Sequence, residues 1–260
     1  MGTVTVREVL WAVSGLLNDT NSQFDRWPET ELVQWLDDAQ MALAKYLPAS
    51  CSRTDVFKLA SGTKQSIAQI PAASLMPEDG SNPPTTTYGM EFLGAVRNMG
   101  DDGLTPGRAI TPVGRSDLDD QHRDWHTKVG EYVKHVTFDP RIPQTFYVSP
   151  AAAGKWIELQ HVVQPAKIPN TGSPGSEVYA WSGSNATKLT VRDEHRDDVI
   201  NYVCARAKMK NTQSASDQSS AGMFSQLFLG SLNAKVQVAT GNNPNLKRLP
   251  MQPANIGTAS

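Results

Sequence analysis

Apolar residues recur with helical spacing near the start of the chain. Between Thr5 and Leu17 they follow the i, i+3, i+4, i+7 spacing of one helix face, and Thr5 is placed to cap the first turn. A second helix begins after Pro28, a residue suited to a first turn, and ends before Pro48. Its apolar stripe consists of Leu32, Trp35, Leu36, Ala39, Leu43, Tyr46 and Leu47. The pattern therefore predicts two amphipathic N-terminal helices.

The period changes from helical to alternating after the second helix. Residues 56–59 and 65–70 flank a turn at Gly62, which predicts a hairpin. Segments 75–88 and 165–188 are rich in Pro, Gly, Ser, Thr and Asn, and predict loops. The other short runs with strand character cover 92–98, 132–138, 146–149 and 156–163. Together these runs predict a small antiparallel sheet or barrel.

Helical spacing returns in the last quarter of the chain. Thr190 and Asp193 have the spacing of a capping box at the start of a third helix. The apolar face of that helix consists of Val199, Ile200, Val203, Cys204 and Ala207. A fourth helix begins near Ala215 and ends before Gly230, and its apolar residues are Met223, Phe224, Leu227 and Phe228. From residue 233 onward neither period is present, which predicts an extended tail.

These elements predict an α+β protein. The N- and C-terminal helices form a helical bundle, an antiparallel β-rich domain is inserted between them, and an extended C-terminal tail follows. The predicted boundaries are 1–52 for the N-terminal helices, 53–189 for the insertion, 190–232 for the C-terminal helices and 233–260 for the tail. The predicted bundle core consists of Leu32, Trp35, Leu36, Ala39, Val199, Val203, Phe224 and Leu227.

Charge and cysteine content narrow the classes of function. Charged residues make up 19% of the chain and the net charge is -2, which argues against nucleic acid or an acidic membrane as the main partner. No apolar run approaches the ~18 residues that span a bilayer. Cys51 and Cys204 stand far apart, which argues against a disulfide framework or a thiolate zinc site. A reducing cytosol is the simplest compartment for such a chain.

One segment resembles an enzyme site. Its carboxylates and imidazoles are Asp117, Asp119, Asp120, His122, Asp124 and His126. The spacing of His122 and His126 matches a helical metal-binding pair, but Arg123 stands where a metalloprotease has its catalytic Glu. The favoured interpretation is a polar, exposed connection anchored by Trp125. The alternative is a metal-dependent hydrolase that uses Asp119, His122 and His126. The sequence contains neither a phosphate-binding loop nor a nucleophile elbow.

Blocks of sequence in a fixed order resemble one family. The run RWPETELVQWLDDAQ at 26–40, followed by Leu47 and Pro48, resembles the opening of tailed-bacteriophage head-to-tail adaptor (connector) proteins. The further blocks that agree in order are 62–65 with 70–71, 96–98, 106–110, 124–126, 139–150, 202–207 and 228–230. The resemblance extends over about residues 5–235, whereas 172–181 and the residues after 236 match no block.

The resemblance implies a structural protein with no catalytic role and no cofactor. Proteins of this family assemble as a ring, usually of twelve copies, beneath the portal vertex of the capsid, and join the portal protein to the tail nozzle or tail tube. Genomic DNA would pass through the ring without sequence-specific binding, and the protein would be in the host cytoplasm before it enters the virion. A tail-completion or tail-tube module of the same particle is the alternative. The predicted portal-binding residues are Leu246, Leu249, Met251 and Ile256.

Overall fold

A computed structural model describes residues 2–19, 26–78, 80, 82–169, 187–210 and 215–241. The fold is mixed α+β, with helices at both ends of this part of the chain and β-sheets between them. Its α-helices are α1 (Val6–Leu17), α2 (Glu29–Tyr46), α3 (Arg115–Gln121), α4 (Arg196–Lys210) and α5 (Ala215–Gly241). None of the helices in the described residues is long and apolar enough to span a bilayer.

The two N-terminal helices begin where the sequence predicted. The Thr5 side chain accepts a hydrogen bond from the backbone N–H of Glu8, and the Glu8 carboxylate accepts one from the backbone N–H of Thr5. This reciprocal capping box satisfies two amide groups that the first turn of α1 leaves without helical partners. Pro28 directly precedes α2, whose first turn carries Glu29 and Glu31 near the positive end of the helix dipole.

Four helices contribute to one hydrophobic cluster. Val9 of α1, Leu36 of α2, Val203 of α4 and Phe228 of α5 are all buried in it. Helix α4 packs against the other three and is central among them. Of the residues predicted for the bundle core, Leu32, Leu36, Ala39, Val199 and Val203 are fully buried, and Trp35 and Phe224 are partly buried against the cluster.

The start of α4 differs from the prediction. The helix begins at Arg196 after a short 3-10 turn at Asp193–His195, so Thr190 is not its cap. The Asp193 carboxylate instead accepts hydrogen bonds from the backbone N–H groups of Thr3 and Val4, at 2.6 and 3.0 Å. Asp193, which by its spacing fits a capping box, therefore binds the N-terminal segment to the C-terminal half of the chain.

Helix α5 is longer than predicted. The sequence indicated an end before Gly230 and an extended tail from 233, whereas the helix continues to Gly241. Lys235 and Val236 still contact the helical cluster, so the inward face continues beyond the predicted end. Leu227 was predicted in the bundle core, but it is 50% exposed because the buried line runs through Ala221, Phe224 and Phe228. Its assignment to the core was wrong.

The described residues of the β-rich part form three sheets. The strands are β1 (Ser52–Lys58), β2 (Lys64–Ser66), β3 (Ile70–Pro71), β4 (Leu75–Pro77), β5 (Thr86–Thr87), β6 (Gly89–Met99), β7 (Pro106–Ala109), β8 (Thr111–Pro112), β9 (His135–Phe138), β10 (Thr145–Ser149) and β11 (Trp156–Val163). The strand orders are β4-β1-β11-β6-β7, β2-β10-β9-β8 and β3-β5. Pairing is antiparallel except between β8 and β9, which are parallel, so the predicted all-antiparallel pairing is wrong at that edge.

The hairpin predicted around Gly62 does not form. Strand β1 pairs with β11 and β4, and β2 pairs with β10 in the other large sheet. Gly62 adopts a left-handed φ of 86°, and the Gln65 side chain bonds to the backbone of Ala60 and Gly62 across this turn. The turn therefore redirects the chain from one sheet to the other, and its local sequence does not distinguish this from a hairpin.

The two larger sheets share a second hydrophobic cluster. Phe92 of β6 and Phe146 of β10 stack with ring centroids 4.2 Å apart, and Phe57 of β1 packs edge-on against Phe146. Ile157 and Val148 are fully buried in the same cluster. These contacts join strands from both sheets, so the β-rich part has a core separate from that of the helices.

Candidate interaction surface

The residues considered as metal ligands lie on an exposed connection between β8 and β9. All six carboxylates and imidazoles of the set are exposed. Helix α3 ends at Gln121, and His126 lies in a 3-10 turn at Trp125–Thr127, so His122 and His126 do not share a helix as their spacing suggested. Within the described ranges, no group of three or more His, Cys, Asp or Glu is positioned to hold a metal ion.

Trp125 anchors this connection, as the favoured interpretation predicted. Its side chain is completely buried, its indole N–H donates to Asp119 at 2.8 Å, and its ring stacks on His126 at 3.6 Å between centroids. Asp124 pairs with Lys128 at 3.2 Å, and the hydrogen bond from Lys128 lowers the pKa of the Asp124 carboxyl. Several of the candidate ligands therefore have structural partners within the protein.

Neither cysteine is suited to be a nucleophile. Cys51 and Cys204 are both buried, and neither forms a disulfide bond. Burial raises the pKa of the Cys204 thiol to about 12, and it also raises the pKa of Cys51. The reactive form of a cysteine is the thiolate, and burial disfavours that form at both positions.

A buried charged cluster fastens α5 to α4. Lys235 of α5 donates to the Asp198 carboxylate at 2.6 Å, and His195 Nδ1 lies 3.2 Å from the same oxygen. Burial would raise the pKa of Asp198, but its hydrogen bonds with His195 and Lys235 outweigh this effect and lower the pKa to about 2. Nearer the start of α5, Asp217 pairs with Arg26 and Lys208 at 3.0 and 2.9 Å. Both charged residues of α5 therefore point inward.

The Asp198 cluster should make stability depend on pH in acid. The pKa of Asp198 is lower in the folded state than the ordinary 3.8, so its contribution is complete above about pH 4 and is lost as the pH falls toward 2. The difference between the two pKa values corresponds to about 2 kcal/mol of the free energy of unfolding, at 1.36 kcal/mol per pKa unit. In urea titrations between about pH 5 and pH 2, the Asp198→Asn variant should lack this part of the acid destabilisation.

The neighbouring Asp197 is a matched control for that measurement. Its side chain is 84% exposed, so Asp197→Asn should keep the pH dependence of the wild-type protein. If Asp198→Asn and wild type lose the same stability on acidification, Asp198 does not have the role assigned to it.

The outer face of α5 carries no charge, because its only charged residues are the two that point inward. Its exposed large residues are Met223, Leu227, Leu229 and Val238, with exposures of 53%, 50%, 53% and 61%. Gly230 and Ala234 are exposed between them. An apolar and uncharged face of this kind is typical of a surface that packs against another protein.

The predicted portal-binding residues Leu246, Leu249, Met251 and Ile256 lie outside the described residues, as do residues 172–181. The uncharged face of α5 was not predicted as a site. The sequence signal for this face is the scarcity of charge after residue 210. The charged residues there are Asp217, Lys235, Lys247 and Arg248.

Comparison with known proteins agrees with the resemblance of the sequence blocks. A family model described as SU10 adaptor protein matches residues 4–248, which include the helices at both ends and the sheets between them. The search of curated proteins returned no match. Because the match covers far more than half of the 260 residues, the chain belongs to the SU10 adaptor protein family of bacteriophage structural proteins.

Proposed function

We propose that the protein is a structural head-to-tail adaptor that forms a ring of twelve copies, joins the portal protein to the tail nozzle or tail tube, and lines the DNA channel. The observation that carries this proposal is the match to an adaptor family over residues 4–248. Membership of that family implies a virion component that contacts other head or tail proteins. In this proposal the protein has no catalytic role and uses no cofactor.

In this proposal the helices at the two ends of the chain act as one bundle, and the residues after α5 reach the portal. A polar segment with a few apolar residues does not form a core of its own, but it binds a partner by placing those side chains in grooves. Leu246, Leu249, Met251 and Ile256 supply such side chains. Contacts that are weak in one copy become strong when a closed ring repeats them.

The charge of the chain supports a role in a DNA channel without sequence recognition. Lys and Arg total 24 against 26 acidic residues. Proteins that hold DNA do so mainly through cationic side chains on the phosphates, so a nearly neutral wall lets DNA slide past. The proposed location is the head-tail junction of the virion, with the host cytoplasm as the compartment before assembly.

Serine substitutions at Leu246, Leu249, Met251 and Ile256 together should weaken portal binding. Each buried apolar side chain contributes about 1.5–3 kcal/mol, so loss of all four should reduce the affinity by about 100-fold or more. Mass photometry of portal rings, alone and mixed with each protein, measures the number of adaptor copies bound. Leu104→Ser is the control, because Leu104 is 75% exposed and lies between β6 and β7.

Two outcomes would contradict the portal assignment. The proposal fails if the wild-type protein neither forms rings nor binds portal under any assembly condition. Binding to isolated tail protein with no binding to portal would instead favour the tail-completion or tail-tube alternative.

A further inference from the structure

One charged side chain holds the C-terminal half of α5. The Lys235 ammonium donates to the Asp198 carboxylate at 2.6 Å and to the backbone carbonyl of Glu194 at 2.9 Å. Asp198 lies in the first turn of α4 with its side chain 3% exposed, and Glu194 lies in the 3-10 turn that precedes α4. Lys235 therefore fastens the last part of α5 to the start of α4.

This contact lies close to the end of α5. Lys235 and Val236 are half-buried, and Val236 packs against the helical cluster, whereas Gln237 and Val238 are exposed. The helix ends at Gly241. The residues after Gly241 are termed the C-terminal tail. The Lys235 contact is thus separated from the start of this tail by less than two helical turns.

The other charge of α5 is fastened at the opposite end of α4. Asp217, in the first turn of α5, pairs with Lys208, in the last turn of α4, at 2.9 Å. The two helices therefore run antiparallel. Their charged contacts lie about 27 Å apart along α5, at 1.5 Å per residue. Together the two contacts define the rotation of α5 and its position along α4.

Apolar packing alone does not define this placement. The exposed side of α5 carries Met223, Leu227 and Leu229. Its buried side carries Phe228 and Leu232, so a rotated or shifted helix would also bury apolar side chains. A charged side chain that left its buried partner would leave that partner unpaired, which is strongly unfavourable. Setting the register of packed helices is the best-attested role of such a pair.

The position of the helix end determines what the C-terminal tail can reach. Leu246 is the first of the proposed portal-binding residues, and it follows Gly241 by five residues, which extend at most about 17 Å. A slide of α5 by one turn would move its end by about 5.4 Å, about a third of that reach. A tail that starts from a variable position also loses more conformational freedom when it binds, which lowers its affinity.

We propose that Lys235 is a positioning residue for portal binding. Its contacts with Asp198 and with the carbonyl of Glu194 fix the place from which the C-terminal tail extends to the portal protein. This inference rests on the proposed function, because portal binding by the tail is part of that function. The apolar residues of the tail contact the portal, and Lys235 acts through them, since its own partners lie within the subunit.

Replacing Lys235 with methionine should weaken portal binding about tenfold, because the end of α5 is no longer fixed and the tail loses more freedom on binding. Lys208→Met is the matched control, since it removes a charged contact at the start of α5 and leaves the Lys235 contact in place. Both variants should lower the Tm by a similar amount, but Lys235→Met alone should lower the affinity. Lys235→Arg keeps the charge and the donors, and should retain most of the affinity. Titration of portal rings with each full-length protein, followed by mass photometry, measures the affinity.

Two results would overturn the role of Lys235. One is wild-type affinity in Lys235→Met. The other is an equal loss of affinity in Lys235→Met and Lys208→Met, which would reflect general destabilisation. In both cases the wild-type protein still binds portal, so the adaptor function stands. A wild-type protein that does not bind portal overturns the adaptor function, and the role of Lys235 in portal binding fails with it.

A distance measurement by pulsed EPR tests the positioning without portal. Nitroxide labels are attached to the full chain at Leu16→Cys in α1 and Val238→Cys near the end of α5, both of which are exposed positions. The native cysteines are buried, so the introduced thiols take the labels. The distance distribution should be narrow, Lys235→Met should broaden it, and Lys208→Met should leave it narrow. A narrow distribution in Lys235→Met would contradict the positioning role, whether or not the protein binds portal.

Discussion

Replacing Asp55 with alanine should lower the free energy of unfolding by about 3–5 kcal/mol, because it leaves a buried histidine without its partner. Asp55 of β1 lies diagonally across from His161 of β11, whose register partner is Arg53, and His161 Nε2 is 2.9 Å from the Asp55 carboxylate. Their side chains are 1% and 0% exposed. Asp55 also accepts hydrogen bonds from Arg53 and from the backbone N–H of Glu78. One carboxylate thus joins β1 to its two neighbours.

Urea titration of the wild-type and variant proteins measures this loss. The control is the double variant Asp55→Val/His161→Val, which removes both polar groups and places β-branched residues at strand positions. It should regain much of the lost stability, because apolar replacement of a whole buried pair is often neutral. A change below about 1 kcal/mol for Asp55→Ala would show that water or neighbouring groups satisfy His161.

Trp125→Ala should have a comparably large effect on stability. The side chain is completely buried beneath the acidic connection, and replacement of a buried aromatic residue by alanine typically costs about 3–5 kcal/mol. The substitution also removes the hydrogen bond to Asp119 and the stacking on His126. Thermal or urea unfolding of the full chain is the measurement.

His122→Ala is the control, since His122 is exposed and should change stability by less than about 0.5 kcal/mol. The wild-type protein and His122→Ala together also test the alternative of a metal-dependent hydrolase. Elemental analysis of the purified wild-type protein should find no stoichiometric metal. A bound metal that is lost in His122→Ala would overturn the structural interpretation of this segment and support the hydrolase.

Local signals predicted those elements whose residues act on their near neighbours. The capping box of α1 joins residues three positions apart, and Pro28 acts on the first turn of α2. Thr5 as the cap of α1 and Pro28 at the start of α2 were predicted because the chemistry of a helix end is contained in a few consecutive residues. The return bond from Thr5 to Glu8, which makes this cap a capping box, was not predicted. The apolar stripes of the two N-terminal helices were predicted for the same reason as these helix starts, although α1 also exposes Trp11 and Leu16 on its other side.

Predictions failed where distant residues compete for the same group. Thr190 and Asp193 have the spacing of a capping box for α4, but Asp193 accepts hydrogen bonds from the backbone of Thr3 and Val4 instead. Strand β1 fits a hairpin with β2, but it pairs with β11, about one hundred residues later in the chain. Spacing along the sequence contains no information about such partners, because they come together only when the chain folds.

The adaptor family was identified from ordered blocks of sequence, and the family match extends over nearly the same residues. The exposed, uncharged face of α5 was not identified from the sequence. Apolar residues occur on both faces of this helix, so the hydrophobic period does not show which face is buried.

The sequence by itself determined the α+β class, the order of helical and strand regions, and the absence of a recognisable catalytic motif, because these depend on short-range periodicity and residue chemistry. The tertiary structure decided which face of α5 is buried. Asp217 pairs with Arg26 and Lys208, and Lys235 pairs with Asp198. These contacts link α5 to α4 and to the residues before α2. They turn the only two charges of α5 inward and leave Leu227 and its neighbours on the surface, since buried charges need partners and exposed apolar side chains do not.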